Sequence, residues 1–285
     1  EVSASTLLPA PDNLTAYGGF QQVTLDWDNI SGASSYTVYW DNTTGITSTD
    51  TTITSFSSDN YTHSGLDNST TYYYKVAAVN SSGTGTLSSE DNATTYTVSG
   101  SLSFDGTNDY VEIAHDNSLN LTDNFTIEAW VNLKSNTNNT ILDKGNYRNL
   151  FQVHTNGNTG LSYYDRTNGW THSSGTIPTN EWVHVAMSFQ TGSNNLKFYK
   201  NGQLMSSHTL SNTSLTDTGA MNIGRQSPST CLCNILDGNL DELRIWSDIR
   251  TQSELQSYMT KSLTGSENNL LGYWNLNEGS GSTLT

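Results

Sequence analysis

Apolar residues recur at every second position through most of this chain. Val23, Leu25 and Trp27 share one face of "VTLDWDN", and Tyr36, Val38 and Trp40 share one face of "SYTVYW". Tyr72, Tyr74, Val76 and Ala78 do the same in "TYYYKVAAVN". Period two marks strands with one buried face. Gly18-Gly19, Ser31-Gly32, Ser64-Gly65 and Ser82-Gly83 punctuate these runs at the spacing of an all-β sandwich. "YTVSG" (Tyr96–Gly100) reads as a linker and divides the chain into domains 1–97 and 98–285. Beyond it the alternation resumes. Phe125, Ile127, Ala129 and Val131 point inward from "FTIEAWVNL", and Val183, Val185, Met187 and Phe189 face the core from "EWVHVAMSF". "NLKFYKNGQ" enters an Asn201-Gly202 turn, a strong hairpin signal. One stretch departs: in "TQSELQSYM", Leu255, Tyr258 and Met259 follow helical spacing and predict one short helix.

Composition agrees with strands. Only 33% of the 285 residues are hydrophobic, but 15 Tyr, 7 Trp and 7 Phe supply bulky core material at few positions. Ser and Thr number 79 and favour strands and turns over helices. The formal net charge of −16 comes with no basic cluster, which excludes nucleic acid and anionic membrane surfaces as partners. No apolar run approaches the ~18 residues of a membrane span, so no membrane insertion is expected. Scarce Lys and abundant Asn, Ser and Thr fit an extracellular or cell-surface setting. The absence of an initiator Met, and a strand expected at Gly272–Leu276 before "GSGSTLT", suggest a piece of a longer protein.

Two resemblances follow. "PAPDNLTA", Trp27, Tyr36 and "GLDNSTTYYYKVAAVNSSGTG" resemble a fibronectin type III domain over about residues 6–96. Leu66, Thr70 and Tyr72 match that family's spacing, which implies a corner where the Tyr hydroxyl bonds back to the backbone. The resemblance implies a spacer or adhesion module. The second part carries, in order, "LSFDGTNDYVEI", "FTIEAWV", "ILDKG", "EWVHVAMSF", "KFYKNGQ", "NIGR", "LDGNLDELRIW" and "LLGYWNLNEGSGSTLT". It resembles the laminin-G-like, concanavalin A-like jelly rolls of microbial cell-surface proteins, related in fold to pentraxins. The expected fold is therefore all-β: a fibronectin type III sandwich, then a concanavalin A-like jelly-roll sandwich with one short helix. That second family spans lectins, adhesion modules and accessory domains of enzymes, so fold alone does not give function.

Candidate chemistry centres on two acidic loops, "LSFDGTNDYVEIAH" and "LDGNLDELRIW". Enzymes sharing the concanavalin A-like fold carry Glu-x-Asp-x-x-Glu on one strand, to set carboxyls at the separations glycoside hydrolysis needs. No such triplet occurs; Glu128 stands alone on its strand, and Asp241 and Glu242 point to opposite faces. No Gly-x-Ser-x-Gly elbow occurs either, so no enzyme is expected. The resemblance instead implies that Asp105 and Asp241, on neighbouring strands, grip one calcium ion, with Gly106 letting the backbone approach. The alternative is that Asp105-Gly106 and Asp237-Gly238 are tight turns and nothing more. Cys231 and Cys233 lie within reach of a disulfide, with free thiols as the alternative. In "LSYYDRTNGWTHSS", Tyr164, Arg166 and Trp170 suit sugar rings or protein loops, unless the aromatics merely fill the sandwich. The sequence thus reads as a non-catalytic, calcium-stabilised adhesive or ligand-binding module whose partner is a glycan or surface protein. The alternatives are a structural segment that binds copies of itself in a surface appendage or layer, and an attachment domain of a secreted polysaccharide-degrading enzyme.

Overall fold

Val23, Leu25, Tyr36, Val38, Tyr74, Val76 and Ala78 are all buried in one cluster, as the alternation demands. They belong to the first of two compact units, Glu1–Thr97 and Val98–Thr285, in the computed structural model. The structure describes residues 6–98, 100–121, 123–135, 138–145, 149–153, 160–211, 219–226 and 234–277. In the first unit, Thr15–Gly19, Gln22–Asp26 and Asn60–Ser64 form a three-stranded sheet. A five-stranded sheet runs Thr51–Phe56, Ser35–Asp41, Thr71–Asn80 and Gly83–Thr84, with Asp91–Thr94 also paired to Thr71–Asn80. Trp27 packs edge-on against Tyr36 with ring centroids 5.3 Å apart, which fixes orientation beyond simple burial. Tyr72 Oη accepts the Asp67 N–H at 3.1 Å, a tyrosine hydroxyl returning to the backbone at that corner.

His63 bridges the two sheets of this unit. Its ring meets Trp40 edge-on at 4.4 Å, and its Nδ1 lies 3.2 Å from Tyr74 Oη. Burial holds its pKa below the ordinary 6.5. As pH falls through that value the unfolded chain takes up the proton before the folded one, so stability is lost below it and is flat above. The melting transition of the first unit should fall between about pH 7 and about pH 5, and His63→Phe should remove the histidine's share of that fall. Parallel pH profiles of wild type and variant check this.

The second unit is a sandwich of two antiparallel sheets. One runs Val111–Ile113, Met221–Ile223, Asn139–Lys144, Asn149–Val153, Leu161–Asp165 and Gly169–His172. The other runs Gln203–Thr209, Asn195–Lys200, Val183–Gln190, Phe125–Leu133 and Asp237–Trp246. Leu102–Asp105 and Leu270–Trp274 then share the outer edge of Asp237–Trp246, the first beside its early residues and the second beside its late ones. The final strand therefore follows "LSFD" end to end and does not pair with it. Between the sheets lie Phe125, Ile127, Ala129, Val131, Val183, Val185, Met187 and Phe189, the set expected from alternation.

The opposite face of the seven-stranded sheet is also dry. Thr126, Glu128, Trp130, His184, Ala186, Ser188, Arg244 and Trp246 are buried there. The expected helix, Gln252–Tyr258, covers part of it. It starts in a capping box in which Thr251 and Glu254 satisfy each other's backbone N–H groups. Leu255 packs on Ala186 and Tyr199. Trp130 Nε1 donates to the Met259 carbonyl at 2.7 Å, and Arg244 donates to the carbonyls of Tyr258 at 2.8 Å and Lys261 at 2.6 Å.

Arg244 also meets Glu242 at 2.6 Å and Glu128 at 3.6 Å. Trp246 Nε1 donates to Glu128 at 2.8 Å, and His184 Nε2 lies 3.0 Å from its other oxygen. Burial alone pushes Glu128 up, but His184, Arg244 and Trp246 together hold its carboxyl below the ordinary range. Removing one partner of such a cluster leaves buried charge uncompensated. Arg244→Met should cost about 3–5 kcal/mol in urea unfolding of the second unit, and adding Glu128→Gln and Glu242→Gln should recover part of it.

Candidate functional site

Alternation also decides what the six-stranded sheet shows on its outer face. Its ladders align Glu112 with Asn222, Asn222 with Asp143, Asp143 with Leu150, Leu150 with Tyr164, and Tyr164 with Trp170. Directly opposed residues share a face, so these six side chains form one row across all six strands. A second row runs Thr140, Gln152, Ser162 and His172. The inward partners of the same strands are Leu142, Phe151, Val153, Leu161, Tyr163, Met221 and Ile223.

One end of this face is aromatic. Tyr164 and Trp170 pack with centroids 5.0 Å apart, and Trp170 stacks on His172 at 6.1 Å and 10°. Trp170 remains 38% exposed on an edge strand. His172 Nδ1 lies 2.7 Å from Ser162 Oγ. Burial, then nearby His208, holds the pKa of His172 below its ordinary value, so the ring is neutral at pH 7. The hairpin joining the two strands is fixed by Asp165, whose carboxylate accepts the N–H groups of Thr167 at 2.8 Å and Asn168 at 2.7 Å.

The other end carries Arg225. It donates to Glu112 at 2.6 Å and to Asn222 at 2.8 Å, and its guanidinium lies 3.4 Å from the Tyr110 ring centroid. Between the two ends, Gln152 is fully buried, and neither its amide nitrogen nor its amide oxygen has a hydrogen-bond partner. Thr140 Oγ1, in the same row, is in the same state. Leaving such atoms unpaired costs about 1–3 kcal/mol each, so they are retained at an expense to the fold.

Of the residues expected to bind a ligand, Tyr164 and Trp170 do come together on this face. Arg166 sits at the exposed hairpin turn, outside the rows. Gln152, Thr140, Ser162, Asn222 and Arg225 went unrecognised in the sequence. Their signal is a polar residue at the outward phase of otherwise apolar runs, as in "NLFQV" and "MNIGR".

The calcium expectation needs correction in its geometry. The strands bearing Asp105 and Asp241 are neighbours, as expected, but the ladder sets Asp237 opposite Asp105. Asp241 lies four residues further along, about 13 Å at ~3.3 Å per residue, and is buried. Its Oδ1 accepts the Glu242 N–H at 2.9 Å. Asp105 is exposed and accepts the N–H groups of Thr107 at 2.8 Å and Asn108 at 3.2 Å. Those bonds hold its carboxyl below the usual range. Gly106, at φ 74°, lies where a Cβ would stand 2.9 Å from that of Asp237. Asp105 and Gly106 thus build a tight turn against Asp237, and the pair Asp105 and Asp241 does not fit one shared ion. Among the described residues no three His, Cys, Asp or Glu side chains converge to hold a metal. Cys231 and Cys233 lie outside the described residues. Glu128, the one acidic residue of its own strand, shares Arg244 with Glu242 of the neighbouring strand, where a bulge lies opposite Glu128–Trp130 and Glu242 stands at φ 52°. Those carboxylates are buried on the other sheet, away from the Tyr164–Trp170 face.

Residues 105–256 match the family model described as the concanavalin A-like lectin/glucanases superfamily. The chain belongs to that superfamily. Among solved structures, a "putative carbohydrate binding protein" from Bacteroides ovatus is 18% identical at a TM-score of 0.57, over 98% of this chain and 88% of that one. This superfamily member also aligns with domain 4 of an extracellular arabinanase from Geobacillus stearothermophilus, solved with arabinotriose, at 19% identity and a TM-score of 0.46. That alignment covers 66% of this chain and 81% of the other. An Fn3-like protein from Clostridium thermocellum is 30% identical over 32% of this chain and 97% of its own, with a TM-score of 0.28. The comparison with curated proteins gives no match.

Two separate roles for the aspartates predict additive effects. Asp241→Ala should cost about 1–3 kcal/mol, because it strips a buried acceptor from the bulge. Asp105→Asn should cost less than about 0.5 kcal/mol, since Asn closes the same turn. In a double-mutant cycle the two should add to within about 0.5 kcal/mol, whereas a shared cation would couple them.

Proposed function

We propose that the second unit is a non-catalytic glycan-binding module of an extracellular protein, and that its ligand lies on the outer face of the six-stranded sheet. The observation that carries this is Trp170: a half-open indole on an edge strand, braced by Tyr164 on one side and His172 on the other. A large aromatic is normally buried, and one held rigid and open beside polar groups is a platform for a sugar ring. Superfamily membership supports the reading, as does the fold shared with the Bacteroides protein. His172, partly exposed beside the indole, offers a hydrogen-bonding group that could orient a ligand there. The first unit, in this reading, is a fibronectin type III-like spacer. Its sequence pieces and the Tyr72 corner support that assignment.

Trp170→Ala should reduce affinity for the best glycan of an oligosaccharide array by on the order of tenfold or more. The melting temperature should stay within about 2 °C of wild type, because the residue is on a partly open edge. An array with no ligand above background, using a protein shown to be folded, would overturn the assignment.

A further inference from the structure

Beside the covering helix, across the sandwich from Trp170, the second unit carries an open cleft of about 560 Å³. Its walls are the turn that follows Asp237–Trp246, the helix Gln252–Tyr258 and the loop 264–269 that leads into the last strand. The size falls within the ~300–1,000 Å³ of small-ligand sites, which are lined mostly by apolar groups. This cleft is lined by polar ones, among them Asp248, Arg250, Glu254, Tyr258, Glu267 and Asn268. Such a lining disfavours an apolar ligand and suits one that hydrogen-bonds.

Most of these groups are held in place by the fold. Glu267 accepts the N–H groups of Thr264 at 2.8 Å and Gly265 at 3.0 Å, which shapes the loop. Asn269 clips that loop to the turn by donating to Asp248 at 2.9 Å. Glu254 is fixed by the capping box and lies 3.5 Å from Arg250 Nη1. The buried Arg250 guanidinium lies 3.7 Å from the Trp246 ring centroid and donates to the Asn268 carbonyl at 3.3 Å. Groups already ordered lose little freedom when a ligand arrives. The carboxylates of Asp248 and Glu254 remain 31% and 40% exposed, so acceptor positions stay open to the cleft. Lys261 and Arg250 lie 5.0 and 5.6 Å from the centre of the Tyr258 ring, so this residue offers its hydroxyl and not an open face for stacking.

The mixture of donors and acceptors selects the ligand. A metal ion uses acceptors only, and among the described residues no three carboxylates converge on one point. An organic cation would meet the carboxylates, but also Arg250 and the Asn268 amide. An anion would meet three carboxylates at contact range. A hydroxyl donates and accepts at once. It gives its proton to a carboxylate in a short, charge-assisted bond and takes one from an amide.

We propose that this cleft is a second sugar site, which takes a neutral sugar unit through its hydroxyls, with Asp248, Glu254 and Glu267 as acceptors and Asn268 and Tyr258 as donors. It goes beyond the Trp170 reading and stands on different residues, on the other side of the sandwich. Trp170 grips a ring by its face, whereas this cleft grips it by its edge. One chain with both sites holds two glycan segments at once.

The test is a calorimetric titration of the intact chain with neutral tetrasaccharides (arabinan, xylan, β-glucan and galactan fragments). It compares wild type, Trp170→Ala, and Trp170→Ala combined with Tyr258→Phe and Asn268→Ala. Trp170→Ala should retain binding to at least one probe, little changed between low and high salt. The two added substitutions should weaken that residual binding at least tenfold. Their melting temperature should stay within about 2 °C of Trp170→Ala, because Asn268 is exposed, its carbonyl is retained for Arg250, and the Tyr258 ring is kept. Equal affinity in wild type and Trp170→Ala, lost on adding the cleft substitutions, would support this site and remove the Trp170 platform. Complete loss of binding in Trp170→Ala would overturn the second site and leave that platform standing. Residual binding that the cleft substitutions do not weaken, or that falls steeply with salt, would overturn it too. Failure of the wild type to bind any probe would remove both sites.

Discussion

The second unit depends on the way one buried cation is enclosed. The Arg244 guanidinium sits on the outer face of the seven-stranded sheet and is drawn to Glu128 on one neighbouring strand and to Glu242 on its own. Tyr273, on the strand at the other side, donates to the same Glu242 at 2.8 Å. Arg244 Nη1 and Nη2 also donate to the carbonyls of Tyr258 and Lys261, just where the helix runs out and its last carbonyls have no partners within the helix. Three strands and the covering segment are thereby tied to one planar group. A lysine has neither the fork geometry nor the donors to do this.

Enclosure of that face has a functional corollary. With the helix and its C-terminal extension over one sheet, the open aromatic edge is left on the other. Most outer polar groups of the seven-stranded sheet are paired with one another and with backbone, although His184 Nδ1 and Arg244 Nε have no hydrogen-bond partner. Those of the six-stranded sheet include an amide with no partner at all. The same two-residue period produces both faces, and only the content of the outward positions differs.

That difference explains what could be read from the chain and what could not. The inward residues of "FTIEAWVNL" and "EWVHVAMSF", the single helix with its cap, and the division near Tyr96 all follow from local pattern, because periodicity and capping act over a few residues. Register does not. Whether Asp105 stands beside Asp237 or Asp241 depends on how two strands more than a hundred residues apart slide past each other, and no local signal states it. The bulge at Glu242 is equally silent, since a non-glycine residue at positive φ has no sequence mark. Gln152 shows the opposite limit. Its outward phase was legible, but an outward Gln in a strand ordinarily meets solvent, and its burial depends on the whole sheet.

The pairing of Leu102–Asp105 with Asp237–Leu240 carries a consequence for how the unit is made. The first strand of the unit has no place in its sheet until a segment about 135 residues later has been synthesised and brought back to it. Closing a loop of that size is slow, and it delays the contacts that would reward it. Until then Phe104 and the outer edge of the central strands lack cover, which exposes sticky, unpaired backbone during synthesis. A chain emerging from a ribosome or a secretion channel would thus have its leading sandwich formed early, while the trailing one stays open until nearly all of it has emerged.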